Sequence, residues 1–276
     1  MRKVSILPSL FTLGNLLSGL GSIWYAAKAL ALVQGAEVTG RVTSWEEAMK
    51  IAAWLIFLGM LFDALDGRIA RMTHSTSQFG KELDSIADFA TFGIAPAFLI
   101  EVFSFNDKAI LYVIHDRGRM LLSAAYAVFA ALRLARYNVQ ASRKGPPTRT
   151  FKGIPSPAAA GLLASLVLVF MRGAPPDYAF LLDQLRHWAP LVAALMGVLM
   201  VSNVGFPHMG NRFLASGLSY RRMVFAAFVA LGFFMFPEYV LFSLLVSYVL
   251  VSLAMGLRRR SDALPSGGAG GSEAEG

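Results

Sequence analysis

The chain has 276 residues, 56% of them hydrophobic and 15% charged, with a net charge of +8 and no cysteine. A soluble domain of ordinary make-up carries about 25% charged residues, so a conventional soluble fold is excluded. The missing thiols exclude disulfides, thiolate catalysis and Cys-ligated metals, and the positive charge does not mark a nucleic-acid binder, because the basic residues sit mostly in alternate connections between apolar runs.

The apolar residues fall in blocks. Val4–Ala27, Gly153–Met171, His187–Asn211, Met223–Pro237 and Tyr239–Leu257 contain no Asp, Glu, Lys or Arg. A helix needs about 20 largely apolar residues to cross a bilayer, and in lipid the backbone must satisfy its own hydrogen bonds, which selects helices. In chain order the expected spans are Phe11–Val33, Trp45–Met72, Ser85–Phe103, Ala109–Leu132, Pro157–Met171, Trp188–Asn203, Met223–Phe236 and Glu238–Leu257. Arg2 and Lys3 before an apolar stretch ending in Tyr25-Ala26-Ala27 loosely resemble a signal peptide. Pro8 and Asn15 interrupt that run and the topology needs the helix, so it is read as retained. Ser44-Trp45-Glu46-Glu47 reads as a capping box opening the second span. Pro155 and Pro157 read as the start of the fifth span, with Gly153 shaping a tight loop before it.

Most of the 25 basic residues lie near the N-terminus, in 68–81, 133–152 and 212–222, and at 258–260. The positive-inside rule places these segments, and both termini, in the cytoplasm. The expected architecture is an all-α integral membrane protein of the inner (cytoplasmic) membrane. It has a bundle of about eight transmembrane helices, six at least, over residues 1–257, followed by a disordered Ser/Gly/Ala/Pro/Glu tail over 258–276.

The most informative stretch is Asp63–Gly93, DALDGRIARMTHSTSQFGKELDSIADFATFG. A charge near the bilayer centre costs about 2.5–3.5 kcal/mol on insertion scales, so acids among apolar helices point to function. Asp63 and Asp66 are i,i+3 and Asp84 and Asp88 are i,i+4, so each pair shares a helix face. Gly67 and Ala70 continue the Asp63 face and leave room for a bulky ligand. At 1.5 Å per residue, Asp63 lies about 27 Å from the Ser44 cap, near the cytoplasmic edge of a hydrocarbon core about 30 Å thick. Four clustered carboxylates raise one another's pKa values, and hard divalent cations relieve them through oxygen ligation. Two such ions would also clamp a pyrophosphate. The chemistry points to a membrane-edge, two-metal phosphotransferase with its catalytic site facing the cytoplasm.

The pattern D-x2-D-G-x2-A-R-x8-G-x3-D-x3-D is filled at every fixed position, by Asp63, Asp66, Gly67, Ala70, Arg71, Gly80, Asp84 and Asp88. It resembles the CDP-alcohol phosphotransferase motif. LPSLFTLGNLLSG at Leu7–Gly19, ELDSIADFATFGIAPA at Glu82–Ala97, RLARYNV at Arg133–Val139 and FKGIPSPAAAG at Phe151–Gly161 are similar to the phosphatidylserine synthase branch of that family, with Ser9 departing from an expected Asn. The resemblance implies transfer of a phosphatidyl group from CDP-diacylglycerol to L-serine, releasing CMP, with two divalent cations, Mg2+ or Mn2+. By the same resemblance Asp63, Asp66, Asp84 and Asp88 hold metal, and Asp88 is also the general base. Asp66, Gly67, Ala70, Arg71 and Gly80 line the CDP site, and a homodimer is a family habit.

Around this motif, Arg133, Arg136 and Lys152 form a basic cluster on the same side, read either as topogenic charge or as recognition of the acceptor's acidic group. Asn15 either bonds another helix or reaches the donor nucleotide, and Lys81 lies next to Gly80 where it can touch a phosphate. Thr73, His74, Ser75, Thr76 and Ser77 are read as loop residues rather than ligands. Two rival readings stay open: a sibling enzyme with glycerol phosphate, inositol phosphate or choline as acceptor, and a divalent-cation transporter. The second is opposed by the confinement of the acids to one helix pair.

Overall fold

The computed structural model describes residues 6–35, 44–72, 78–105, 116–142, 151–173, 176–202, 205–206 and 220–262. Among these, the helices are α1 (Ile6–Val33), α2 (Trp45–Met72), α3 (Gln78–Asp88), α4 (Ala95–Phe105), α5 (Asp116–Ser142), α6 (Ser156–Arg172), α7 (Pro176–Val201), α8 (Tyr220–Met235) and α9 (Pro237–Asp262). A π-helical segment, Phe89–Ile94, joins α3 to α4 into one continuous rod. The result is the expected all-helical membrane bundle of eight rods.

Small and polar residues, not large apolar ones, line the inner face of the first rod. Thr12, Asn15, Ser18, Ser22, Ala26 and Ala29 are buried, while Leu10, Leu13, Leu17, Leu20 and Trp24 point outward. The same inversion holds in α2, where Ala48, Ala52, Ala53 and Ile56 are buried and Trp54, Leu58 and Leu61 are exposed. Lipid tails are as apolar as leucine, so no hydrophobic force drives large side chains inward. Small residues let helices approach closely instead, and α1 and α2 form the most extensive pairing in the bundle.

Five rods are long and apolar enough to cross a bilayer: Ser9–Val33, Trp45–Ile69, Gln78–Phe105, Arg117–Gln140 and Pro237–Gly256. Ser156–Arg172 and Arg186–Val201 are shorter apolar helices. The 17 residues of α6 are short for a lipid-facing span, but α6 is buried along nearly its whole length, so protein rather than lipid surrounds it.

Several boundaries differ from those read off apolarity. The third rod starts at Gln78 rather than Ser85, and α5 continues to Ser142 rather than stopping at Leu132. Helix ends that leave the lipid need no apolar residues, so hydropathy under-reads them. Residues 109–115 lie outside the described part, as does the tail from 263; α9 itself carries on through Arg258–Arg260 to Asp262. The Ser44 cap is present, with the Glu47 amide donating to Ser44 Oγ at 3.1 Å. Two-residue strands β1 (Phe151–Lys152) and β2 (Gly205–Phe206) pair antiparallel. Between β1 and α6, Gly153 turns with φ +86°, and a Cβ there would collide with the Met200 carbonyl. The Ile154 amide then bonds the Leu199 carbonyl, strapping this loop to the end of α7.

Phe92 lies in the π segment, where amides bond five residues back, as Ala95 does to Ala90, so Pro96 is accommodated without its N–H. Tyr126 of α5 adds a donor from outside the rod, its hydroxyl reaching Phe92 O at 2.9 Å in the buried core. A buried hydrogen bond contributes about 0.5–1.5 kcal/mol. Tyr126→Phe is therefore expected to destabilise the protein by about that amount, read as a lower melting temperature in detergent; unchanged melting would show that the Phe92 carbonyl needs no partner.

Candidate active site

The α2 rod ends where the α3 rod begins, so the antiparallel pair brings Asp63 and Asp66 alongside Asp84 and Asp88 at one end of the bundle. Carboxylate oxygens of Asp63, Asp66 and Asp84 all lie within 4.8 Å of one another. Oxygen ligands sit about 2.0–2.6 Å from Mg2+ or Ca2+, so small side-chain adjustments allow one hard cation to bridge all three. Asp84 Oδ1 is buried with no hydrogen-bond partner among the described residues, as an oxygen reserved for a cation would be. The group could thus hold a divalent metal. Asp88 lies one turn beyond Asp84, outside this tight set but within electrostatic reach of Asp63, Asp84 and Asp66.

The first rod supplies donors to two of these acids. Thr12 Oγ1 donates to Asp66 Oδ2 at 3.0 Å, and both residues are buried. Asn15 Nδ2 donates to Asp88 Oδ1 at 3.1 Å. Asn15 is fully buried, and its side chain bonds across to the third rod. Thr12 was not anticipated, although it stands three residues before Asn15 on the same face of an apolar run, which is a legible signal.

A tight crossing holds Asn15 in place. Thr91 Oγ1, on the π segment, donates to the Asn15 carbonyl at 2.9 Å. Gly59 leaves the room for this: a Cβ there would lie 2.5 Å from Thr91 Cγ2 and 3.0 Å from Asn15 Oδ1. Gly19 on α1 likewise faces the Thr91 backbone, with no space for a side chain. The π segment itself was invisible in the sequence. Such segments are frequent at functional sites, and this one begins directly after Asp88.

The remaining expected residues divide. Gly67 is exposed and faces open space, as a ligand-lining glycine would, and Lys81 is exposed beside Gly80. Ala70 and Arg71 continue α2, and Lys152 lies in β1, but their side chains fall outside the described part, as do Thr73, His74 and Ser75–Ser77 altogether. Arg133 Nη1 donates to Ser156 Oγ at 3.0 Å, and its buried Nε has no hydrogen-bond partner among the described residues. Arg136 Nη1 caps the Val201 carbonyl at the end of α7. Arg133 is within electrostatic reach of Asp88, so it borders the acids. The Arg136–Val201 bond is a helix-capping contact.

Acids facing each other across two helices, with space beside Gly67, suit metal-assisted phosphoryl transfer. A family model described as CDP-alcohol phosphatidyltransferase matches residues 5–204, and the chain belongs to that enzyme family. Among curated proteins it is similar to the CDP-diacylglycerol–serine O-phosphatidyltransferase of Helicobacter pylori, with 36% identity over 205 residues, 74% of this chain and 72% of the relative. It is also similar to proteins of the same name from Methanocaldococcus jannaschii, 35% identical over 57% of this chain and 64% of the relative, and from Bacillus subtilis, 32% identical over 57% and 75%.

The two glycines on α2 make opposite predictions. Gly59→Ala is expected to destabilise the protein by about 1–3 kcal/mol through overpacking, whereas Gly67→Ala, with open space around it, is expected to leave melting unchanged or slightly raised through helix propensity. Thermal unfolding of the two variants in the same detergent checks this; equal shifts would mean the crossing at Gly59 is not tight.

Proposed function

We propose that this protein transfers the phosphatidyl group of CDP-diacylglycerol to the hydroxyl of L-serine, forming phosphatidylserine and releasing CMP. The observation that carries the reading is the facing of Asp63, Asp66, Asp84 and Asp88 in a chain of this family whose relatives are named for that reaction. Asp63, Asp66 and Asp84 would hold two divalent cations, Mg2+ or Mn2+, with Asp88 at their edge. When bound, the cations supply charge neutralisation on the pyrophosphate and on the departing CMP.

The chain's own residues then have distinct tasks. Asp66, Gly67, Ala70, Arg71, Gly80 and Lys81 form the donor side, where the open space at Gly67 admits the cytidine diphosphate. Asp88 Oδ1 accepts from Asn15, leaving Oδ2 to take the proton of the serine hydroxyl. The freed oxygen attacks the phosphorus carrying diacylglycerol, the bond from that phosphorus to the CMP oxygen breaks, and CMP leaves. Arg133, which bonds Ser156, would receive the serine carboxylate, a role supported by the strength of guanidinium–carboxylate pairs. Arg136 and Lys152 complete the basic acceptor side.

The site faces the cytoplasm in an inner-membrane protein on this reading. At the opposite end of the bundle Arg119 pairs with Glu101 at 3.2 Å, Arg172 pairs with Glu238 at 2.6 Å, and Arg186 lies against the rings of Trp45, Phe103 and Phe170. The topology rule counts Lys and Arg whether or not they are paired, and even with these three counted the segments on the aspartate side carry most of the 25 basic residues. A homodimer is part of the proposal, by the family resemblance described above.

The purified protein, given CDP-diacylglycerol and serine, glycerol phosphate, inositol phosphate or choline in turn, is expected to release CMP with serine. Chelation with EDTA is expected to stop the release, and Mg2+ or Mn2+ to restore it. Release with another alcohol and none with serine would transfer the protein to a sibling activity. Asp88→Asn is expected to lower turnover by about 10²–10⁴-fold, the usual worth of a general base, with binding of CDP-diacylglycerol intact; wild-type turnover in that variant would remove the base assignment.

A further inference from the structure

Asn15 presents an anomaly. It lies wholly buried in an apolar helix, yet uses only part of its hydrogen-bonding capacity. Its Nδ2 donates to Asp88, while its Oδ1 has no partner among the described residues and rests over Gly59. A buried polar atom without a partner is a cost that a hydrocarbon side chain of similar size would avoid. The amide is therefore retained for its donor end. An ionised carboxylate only accepts, so the NH2 end must be the one that faces Asp88.

We propose that Asn15 is a positioning residue for Asp88. It holds Oδ1 of the carboxylate so that Oδ2 is turned towards the acceptor hydroxyl. The grip on Asn15 is itself built from neighbouring helices. Thr91 bonds its backbone carbonyl, and Gly59 and Gly19 let the π segment and α1 close to that distance. Thr91 is three residues after Asp88, so the chain that carries the carboxylate also holds the residue that orients it. Asn15 thereby acts through Asp88 on the acceptor half of the reaction. In this role it needs no contact with the nucleotide, in keeping with its zero exposure.

This inference rests on the assignment of Asp88 as base, and the test keeps the two apart. Wild-type protein must first release CMP from CDP-diacylglycerol on addition of serine; if it does not, the proposed reaction fails and Asn15 is not the cause. With that established, Asn15→Ala is expected to lower kcat about ten- to a hundred-fold, the worth of a hydrogen bond to a charged group. The Kd for CDP-diacylglycerol, measured by binding without serine, is expected to stay within about twofold. Asn15→Leu keeps the size but has no donor, and is expected to be at least as slow as the alanine variant. Adding Asn15→Ala to Asp88→Asn is expected to cost nothing further, because residues that act through one another are non-additive.

A weakened Kd with kcat retained would make Asn15 a nucleotide contact. Full kcat in Asn15→Leu, or losses that multiply in the double variant, would reduce it to packing. Melting curves accompany each variant, and Asn15→Leu, a hydrocarbon of similar size, replaces the alanine variant if the void there destabilises the fold. Unfolding of both would overturn the proposal in favour of a structural role.

Discussion

A carboxylate drawn in among membrane helices has to be given hydrogen-bond donors or cations, and the aspartate end of this bundle is organised around that requirement. Asp66 and Asp88 receive side-chain donors from α1. Asp63, Asp66 and Asp84 converge closely enough to share a cation. The donors reach the acids only because α1 lies against α2 and the π segment at near-contact distance. That in turn needs glycine at 19 and 59 and small residues along the buried faces. Packing and charge are thus one problem here: the small side chains that let the helices close also bring donors within reach of the acids.

The opposite end of the bundle handles its charges differently. Arg119 and Arg172 are matched with glutamates, and Arg186 is enclosed by three aromatic rings. Ring faces attract a desolvated guanidinium, so these cations are held by the chain's own residues. Among the described residues the aspartate end leaves Asp84 Oδ1 without a hydrogen-bond partner and has open space at Gly67, while Glu101 Oε2 and Trp45 Nε1 are buried without one at the opposite end. What distinguishes the two ends is the charge arrangement: carboxylates face one another at one, and each glutamate faces an arginine at the other.

The aspartate face was legible in the sequence because helix periodicity alone sets it, and the Ser44 cap because it is local. The rods were legible as apolar runs, but not their ends, since Gln78–Asp84 and Arg133–Ser142 are helical without being apolar throughout. Asn15 could be singled out as a polar residue in the wrong place. Its partner could not be named, because that depends on how α1 crosses a rod more than 70 positions away. For Arg133 and Arg136 sequence left two roles open. One now bonds Ser156 near the acids and the other caps α7, a division set by tertiary packing and not by their common i,i+3 spacing.

The π segment between Asp88 and Ala95 has a consequence for how this rod can vary over evolutionary time. A wide turn of this kind takes up one residue more than regular α-helix would, and each residue rotates a helix by about 100°. The acids of α3 and the core-facing residues of α4, such as Leu99 and Phe103, therefore keep the mutual phase of one regular helix, with the surplus residue absorbed between them. Losing a single position between 89 and 94 would let the rod close into regular α-helix without turning either half, but it would abolish the wide turn that carries Thr91 to the Asn15 carbonyl. The turn behaves as a removable insertion whose worth lies in the contact it makes with α1 and not in the phase of its own rod.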